Sequence, residues 1–239
     1  MNGFTFNGHH SSEFDILLES YTVGTPTKKK ITVDVPYRNG SVDFSLVNTG
    51  DNVFGDRTLT LKINVVMKNI PDLQVKYNSI LQWLIDTQGR QDLIFDDTKG
   101  YKFRAEVIDN IDYQQFFTAG SFTVPMIADP FRYGTSGEGS EKLWDLFNFN
   151  DDVMQDTVYT TNMAGFVNVM VYNSGKTVTP SFKVTDGDDI TITVGSYTTP
   201  VIPNGTEYTD YNIKLTNKEN YFTINGHGTA QVKFIKEAF

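Results

Sequence analysis

Apolar and polar residues alternate with period two through much of the first half of the chain. In Ile31-Thr32-Val33-Asp34-Val35 the apolar side chains share one face of a predicted strand. Pro36 ends that strand by withholding a ladder donor. Asn39-Gly40 predicts a turn, because both residues tolerate positive φ, and Val42, Phe44 and Leu46 then alternate again. Residues 14–22 read as a half-buried strand through Phe14, Ile16 and Leu18. Residues 57–67 form a longer one, with Leu59, Leu61, Ile63 and Val65 on one side. Further strands are expected over 91–95, 101–108 and 116–125.

One segment changes period. Leu73, Tyr77, Ile80, Leu81, Leu84 and Ile85 fall on a single stripe at 3.6 residues per turn. This predicts a helix over 72–88, opened by Pro71-Asp72 and stopped at Gly89. So wide a stripe packs on a sheet, which places the helix against the surrounding strands.

Asp129-Pro130-Phe131-Arg132-Tyr133-Gly134-Thr135-Ser136-Gly137-Glu138-Gly139-Ser140 is rich in glycine and small polar residues and reads as a linker. No helical pattern follows it. Short β-type runs over 166–172, 180–184, 190–194, 208–216, 221–224 and 231–235 are separated by turn signals such as Asn173-Ser174-Gly175, Asp186-Gly187, Asn204-Gly205 and Asn225-Gly226. Strands at that spacing indicate an antiparallel sandwich. The expectation is a mainly β chain with two domains, 1–133 (carrying the one helix) and 134–239.

Composition narrows the function. The chain has 239 residues, 20 basic against 29 acidic groups, and no Cys. The acidity is unevenly shared: residues 1–133 carry net -3 and residues 134–239 net -6. Binding through phosphate neutralisation needs clustered cations, so neither nucleic acid nor an anionic membrane is an expected partner. Without Cys there are no disulfides, thiolate metal sites or Cys nucleophiles. No apolar run reaches membrane-spanning length, and the N-terminus lacks a secretory-signal pattern, so synthesis in the cytoplasm without export is expected.

A search for chemistry returns nothing reactive. His9 and His10 are adjacent, a spacing that suits no metal site, and read as a solvated start; His227 lies in a glycine-rich turn. The pairs Asp96-Asp97, Asp151-Asp152 and Asp188-Asp189 sit among turn residues, where Asp caps backbone. Gly134-Thr135-Ser136-Gly137-Glu138 fails the nucleophile-elbow pattern at its last position, and no phosphate-binding glycine loop is present. Neither enzyme activity nor a metal or cofactor is expected. Lys28-Lys29-Lys30 reads as a solvated loop. Trp144, Phe147, Phe149, Tyr159 and Tyr172 are aromatics for a core or an interface, or for stacking on sugar rings.

Three strings, in register with this architecture, resemble the distal tail proteins of long, non-contractile-tailed bacteriophages. They are Met1-Asn2-Gly3-Phe4-Thr5-Phe6-Asn7-Gly8, then Val35-Pro36-Tyr37-Arg38-Asn39-Gly40-Ser41-Val42-Asp43-Phe44-Ser45, then Ala128-Asp129-Pro130-Phe131-Arg132-Tyr133-Gly134. The resemblance implies an N-terminal belt domain and a C-terminal galectin-like β-sandwich. It implies a virion structural protein at the tail tip, six copies of which close a ring between the tail tube and the baseplate or receptor-binding proteins. DNA would pass through that ring without sequence-specific binding. Pro36, Arg38, Asn39 and Gly40 set a constrained turn expected at the subunit interface. Arg57 is likewise expected at the interface, with a purely intrachain role as the close alternative. Asp129, Pro130, Phe131, Arg132, Tyr133 and Gly134 form the expected domain junction. The His-x-Asn-x-Arg and Trp pattern of sugar-binding galectins is missing from residues 134–239, which favours protein docking there. The alternative is a carbohydrate-binding module that recognises a host-surface saccharide.

Overall fold

A computed structural model describes residues 3–47, 51–66, 70–98, 100–108, 110–116, 119–135, 155–161 and 165–239. The chain divides into two compact units, Met1–Arg132 with Phe239, and Tyr133–Ala238. The candidates Ser136, Gly137, Trp144, Phe147, Phe149, Asp151 and Asp152 lie outside the described residues.

The first unit is built on antiparallel strands. They are β1 (Phe4–Phe6), β2 (His9–His10), β3 (Ile16–Val23), β4 (Thr32–Asp34), β5 (Ser41–Asp43), β6 (Arg57–Val66), β7 (Gln91–Phe95), β8 (Tyr101–Val107), β9 (Asp112–Phe116) and β10 (Ala119–Ala128). The main sheet runs β2-β1-β7-β8-β10-β6-β3, and β9 folds back on β10. Alternation in sequence becomes alternation in burial. β10 hides every second side chain, and on β6 Leu59, Leu61, Ile63 and Val65 are all buried.

Among the described residues one α-helix, α1 (Ile70–Ile85), covers this sheet's core. It starts two residues before the predicted Asp72 and ends well short of Gly89. Leu73, Ile80 and Leu84 are buried as the stripe required, whereas Ile85 is exposed. Its place in the core is taken by Trp83. The indole stacks on Phe14 at 4.4 Å and Phe4 at 5.6 Å, and donates from Nε1 to the Phe6 carbonyl at 3.0 Å.

Two expectations near the N-terminus are corrected. Residues 11–14 form a 3-10 turn, so the strand begins only at Ile16. His9 and His10 are not a loose start. They form β2, and the His10 ring accepts from Ser12 N while Glu13 accepts from His10 N, a reciprocal cap.

β11 (Arg132–Gly134) begins at Arg132, the last residue of the first unit before Phe239, and the second unit contains β12 (Val158–Thr160), β13 (Phe166–Asn173), β14 (Ser181–Asp186), β15 (Thr191–Val194), β16 (Tyr197–Thr198), β17 (Glu207–Thr209), β18 (Lys218–Asn225), β19 (Thr229–Lys233) and β20 (Glu237–Ala238). Two four-stranded sheets, β12-β19-β14-β17 and β13-β18-β15-β16, enclose one core. Val169, Val171, Ile192, Phe222 and Ile224 face Phe182, Val184, Ala230 and Val232 across it.

The single strand expected over 208–216 does not form. β17 ends at Thr209, because Asp210 turns the chain by accepting from Asn212 N at 2.9 Å. Leu215 then pairs separately with Val178. Gly228 has a φ of +142°, and a Cβ there would collide with the Asp186 carbonyl, so this crossing of β14 and β19 requires glycine.

Candidate functional site

The residues that do not pack are the informative ones. Lys28 bridges to Phe54, and Gly55 N donates to Thr27 O at 2.7 Å, which closes the base of an arm. β4 and β5 then pair in register, Thr32 with Asp43, Val33 with Val42 and Asp34 with Ser41. Phe44 N donates to Ile31 O at 2.8 Å and extends the ladder. Lys30 pairs with Asp43 and holds that carboxyl far below the usual carboxylate range, helped by Ser45.

Every residue from Thr27 to Ser41 is exposed. Ile31, Val33 and Val35 occupy one face of this arm, and Phe44, Leu46 and Val47 are exposed on its return. The period-two pattern thus produces the expected strand, but Ile31, Val33 and Val35 on its apolar face stay exposed. Two-stranded hairpins are marginal in water, and contiguous exposed apolar surface marks an interaction site.

The tip brings together four of the five interface candidates. Pro36 leads into a turn closed by Arg38 N donating to Val35 O at 3.2 Å, and Asn39-Gly40 returns the chain with Gly40 at φ +75°. Among the described residues, the Arg38 side chain has no hydrogen-bond or ion-pair partner. Tyr37 was not singled out from the sequence. Its φ is +65° and its ring is fully exposed at the extremity of the arm. A bulky residue between Pro and Arg-Asn-Gly was the available signal, since aromatic and Arg side chains are enriched at interfaces.

Arg57 lies elsewhere. It is 4% exposed, donates to the Pro130 carbonyl and stacks over Phe103 at 5.6 Å. Burial, with Arg132 nearby, pulls its pKa below the usual guanidinium value. This is the intrachain use that the sequence left open.

The junction candidates divide between the units. In the first, Asp129 accepts from Arg90, which also holds Asp56 at 2.6 Å and Glu106 at 3.7 Å. The Arg90 hydrogen bond lowers the Asp56 pKa, and the same bond leads the upward shift of Arg90. Phe131, Phe54 and Phe239 meet edge to face, with centroids 5.1–5.5 Å apart. Arg132 stacks over Tyr101 at 4.4 Å. The base of the arm is thereby tied to the segment that follows β10. In the second unit, Gly134 N donates to Lys236 O at 2.9 Å.

Several of the described acidic and histidine candidates make hydrogen bonds within the fold. Asp96 accepts from Gly3 N, Asp97 from the Tyr21 hydroxyl, and Asp189 from His227 N. Among the described residues no cluster has the makings of a metal site, and no helix is long and apolar enough to cross a membrane.

Residues 11–128 match the model of the phage tail protein RIFT-related domain family. Seven solved chains match the fold, among them SPP1 Dit (gp 19.1), described as a paradigm of hub adsorption apparatus in Gram-positive-infecting phages. That likeness covers 100% of both chains at a TM-score of 0.68 and 12% identity, so it extends the shared fold through the sandwich. No curated protein matches the chain by sequence.

Proposed function

We propose that this protein is a distal tail hub, a structural component of the phage virion and not a catalyst. The observation that carries this is the agreement of the whole chain with a hub protein's fold, around a phage-tail domain at its N-terminus. Six copies close a ring at the tail tip. Each hairpin arm lays Ile31, Val33 and Val35 on the next subunit and seats Tyr37 and Arg38 at the contact. This heterologous, head-to-tail use of one surface is what generates a closed ring. It also covers apolar side chains that otherwise face water.

The ring joins the tail tube above to baseplate or receptor-binding proteins below. DNA passes through it, and the net charge of -9 suits a lumen that does not hold phosphates.

The absence of Cys offers a direct test. A single Asn39→Cys variant carries a photoactivated crosslinker at the arm's tip. Illumination is expected to give a ladder of crosslinked chains ending at six. Products confined to single chains, at concentrations where the protein is associated, would rule out the arm as the contact.

A further inference from the structure

The β13-β18-β15-β16 sheet belongs to the second unit, whereas the hairpin arm belongs to the first. Val169, Val171, Phe222 and Ile224 point into the sandwich, so Asn168, Met170, Tyr221 and Thr223 point away from it. The strand registers align Asn168, Thr223, Thr193 and Thr198 in one row across all four strands. Thr223 Oγ1 donates to Asn168 Oδ1 at 2.8 Å, and Asn225 Nδ2 donates to Thr193 Oγ1 at 3.0 Å. These bonds fix the side chains while leaving the Asn168 amide NH2 and the Asn225 amide oxygen unused among the described residues.

Beside the polar row, Met170 and Tyr221 are cross-strand partners, 47% and 65% exposed. With Gly195 in the hairpin that follows β15, these residues line an open groove of about 460 Å³. That volume is within the ~300–1,000 Å³ typical of small-ligand sites.

We propose that this groove binds a neutral saccharide. A sugar ring has an apolar C–H face, which the Tyr221 ring and the Met170 side chain can cover. Its hydroxyls both donate and accept, matching a fixed row of amides and hydroxyls. Charge selects among ligands. Every side chain lining the groove is uncharged, and the adjacent Glu219 accepts from the Tyr221 hydroxyl at 2.6 Å. Residues 134–239 carry net -6, so an anionic polymer meets repulsion where a neutral glycan does not.

The test is ligand-observed saturation-transfer NMR on the full chain. The probes are neutral oligosaccharides of glucose, galactose, rhamnose and N-acetylglucosamine, with poly(glycerol phosphate) as the charged comparator. At least one neutral probe is expected to bind. Tyr221→Ala is expected to abolish the signal, and Asn168→Ala to weaken binding about tenfold, as loss of a fixed hydrogen bond implies. Tyr211→Ala, an exposed tyrosine outside the groove, leaves binding unchanged. Both groove positions are on the solvent side of the sheet, and far-UV circular dichroism verifies that the variants fold. No neutral binding at about 10 mM, binding only of poly(glycerol phosphate), or binding that survives both groove substitutions would each overturn the proposal.

Discussion

Asp210 shows how much one side chain organises in the sandwich. It is 6% exposed and accepts from the Tyr197 hydroxyl at 2.5 Å, the Tyr208 hydroxyl at 3.3 Å, and Asn212 N and Nδ2 at 2.9 Å each. The Tyr197 bond is the first cause holding its pKa below the usual value. A carboxylate with a depressed folded pKa adds stability above its unfolded value, about 3.9 for Asp, and loses it as pH falls through the folded one. Thermal melts are therefore expected to fall on acidification below about pH 5. Asp210→Asn lowers Tm at pH 7 and flattens that acid-side fall. An unchanged acid slope in Asp210→Asn would place the titrating groups elsewhere.

At the scale of elements, the proposed ring contact predicts that changes in the hairpin arm affect assembly and not the stability of the chain. Ile31, Val33 and Val35 are each more than 40% exposed, so replacing them costs their own chain little. The triple variant Ile31→Ser/Val33→Ser/Val35→Ser is expected to keep its urea unfolding free energy within about 1 kcal/mol of the parent. The same variant is expected to lose oligomers on a size-exclusion column. A large fall in stability would mean that the arm packs on its own subunit.

The elements differ in how far the sequence displayed them. Period two in 31–35 and 57–66, and period 3.6 around Leu73, Ile80 and Leu84, were legible because a half-buried element repeats its own geometry. Which face finds a partner is a tertiary property. The alternation at Val33 and that at Leu61 look alike in sequence, yet one is solvated and the other fully buried. Trp83 was missed because it lies off the aliphatic stripe, and the rings that enclose it come from Phe4 and Phe14, 79 and 69 residues away in the chain. The turn at Asp210 was hidden by flanking β-type residues, Tyr208 and Ile213, that continue the pattern of a strand. Of the candidate site, Pro36, Arg38, Asn39 and Gly40 could be read from turn chemistry. The burial of Arg57 could not, since it depends on Phe103 and Pro130.

At the scale of the whole molecule, each unit has its own apolar core. A lesion in one is therefore expected to be local. Phe182 is fully buried between the two sandwich sheets, and Phe182→Ala is expected to cost about 3–5 kcal/mol there. Amide exchange in β6 and β10 of the first unit is expected to stay as slow as in the parent. Equal acceleration in both units would mean that they unfold as one.

The central claim is that the chain closes a ring through its hairpin arm. Absolute mass by light scattering on a size-exclusion column tests this most directly. The expected result is six times the 27.0 kDa chain mass, or a stacked pair of such rings. A monomer at every accessible concentration would contradict a chain that closes its own ring.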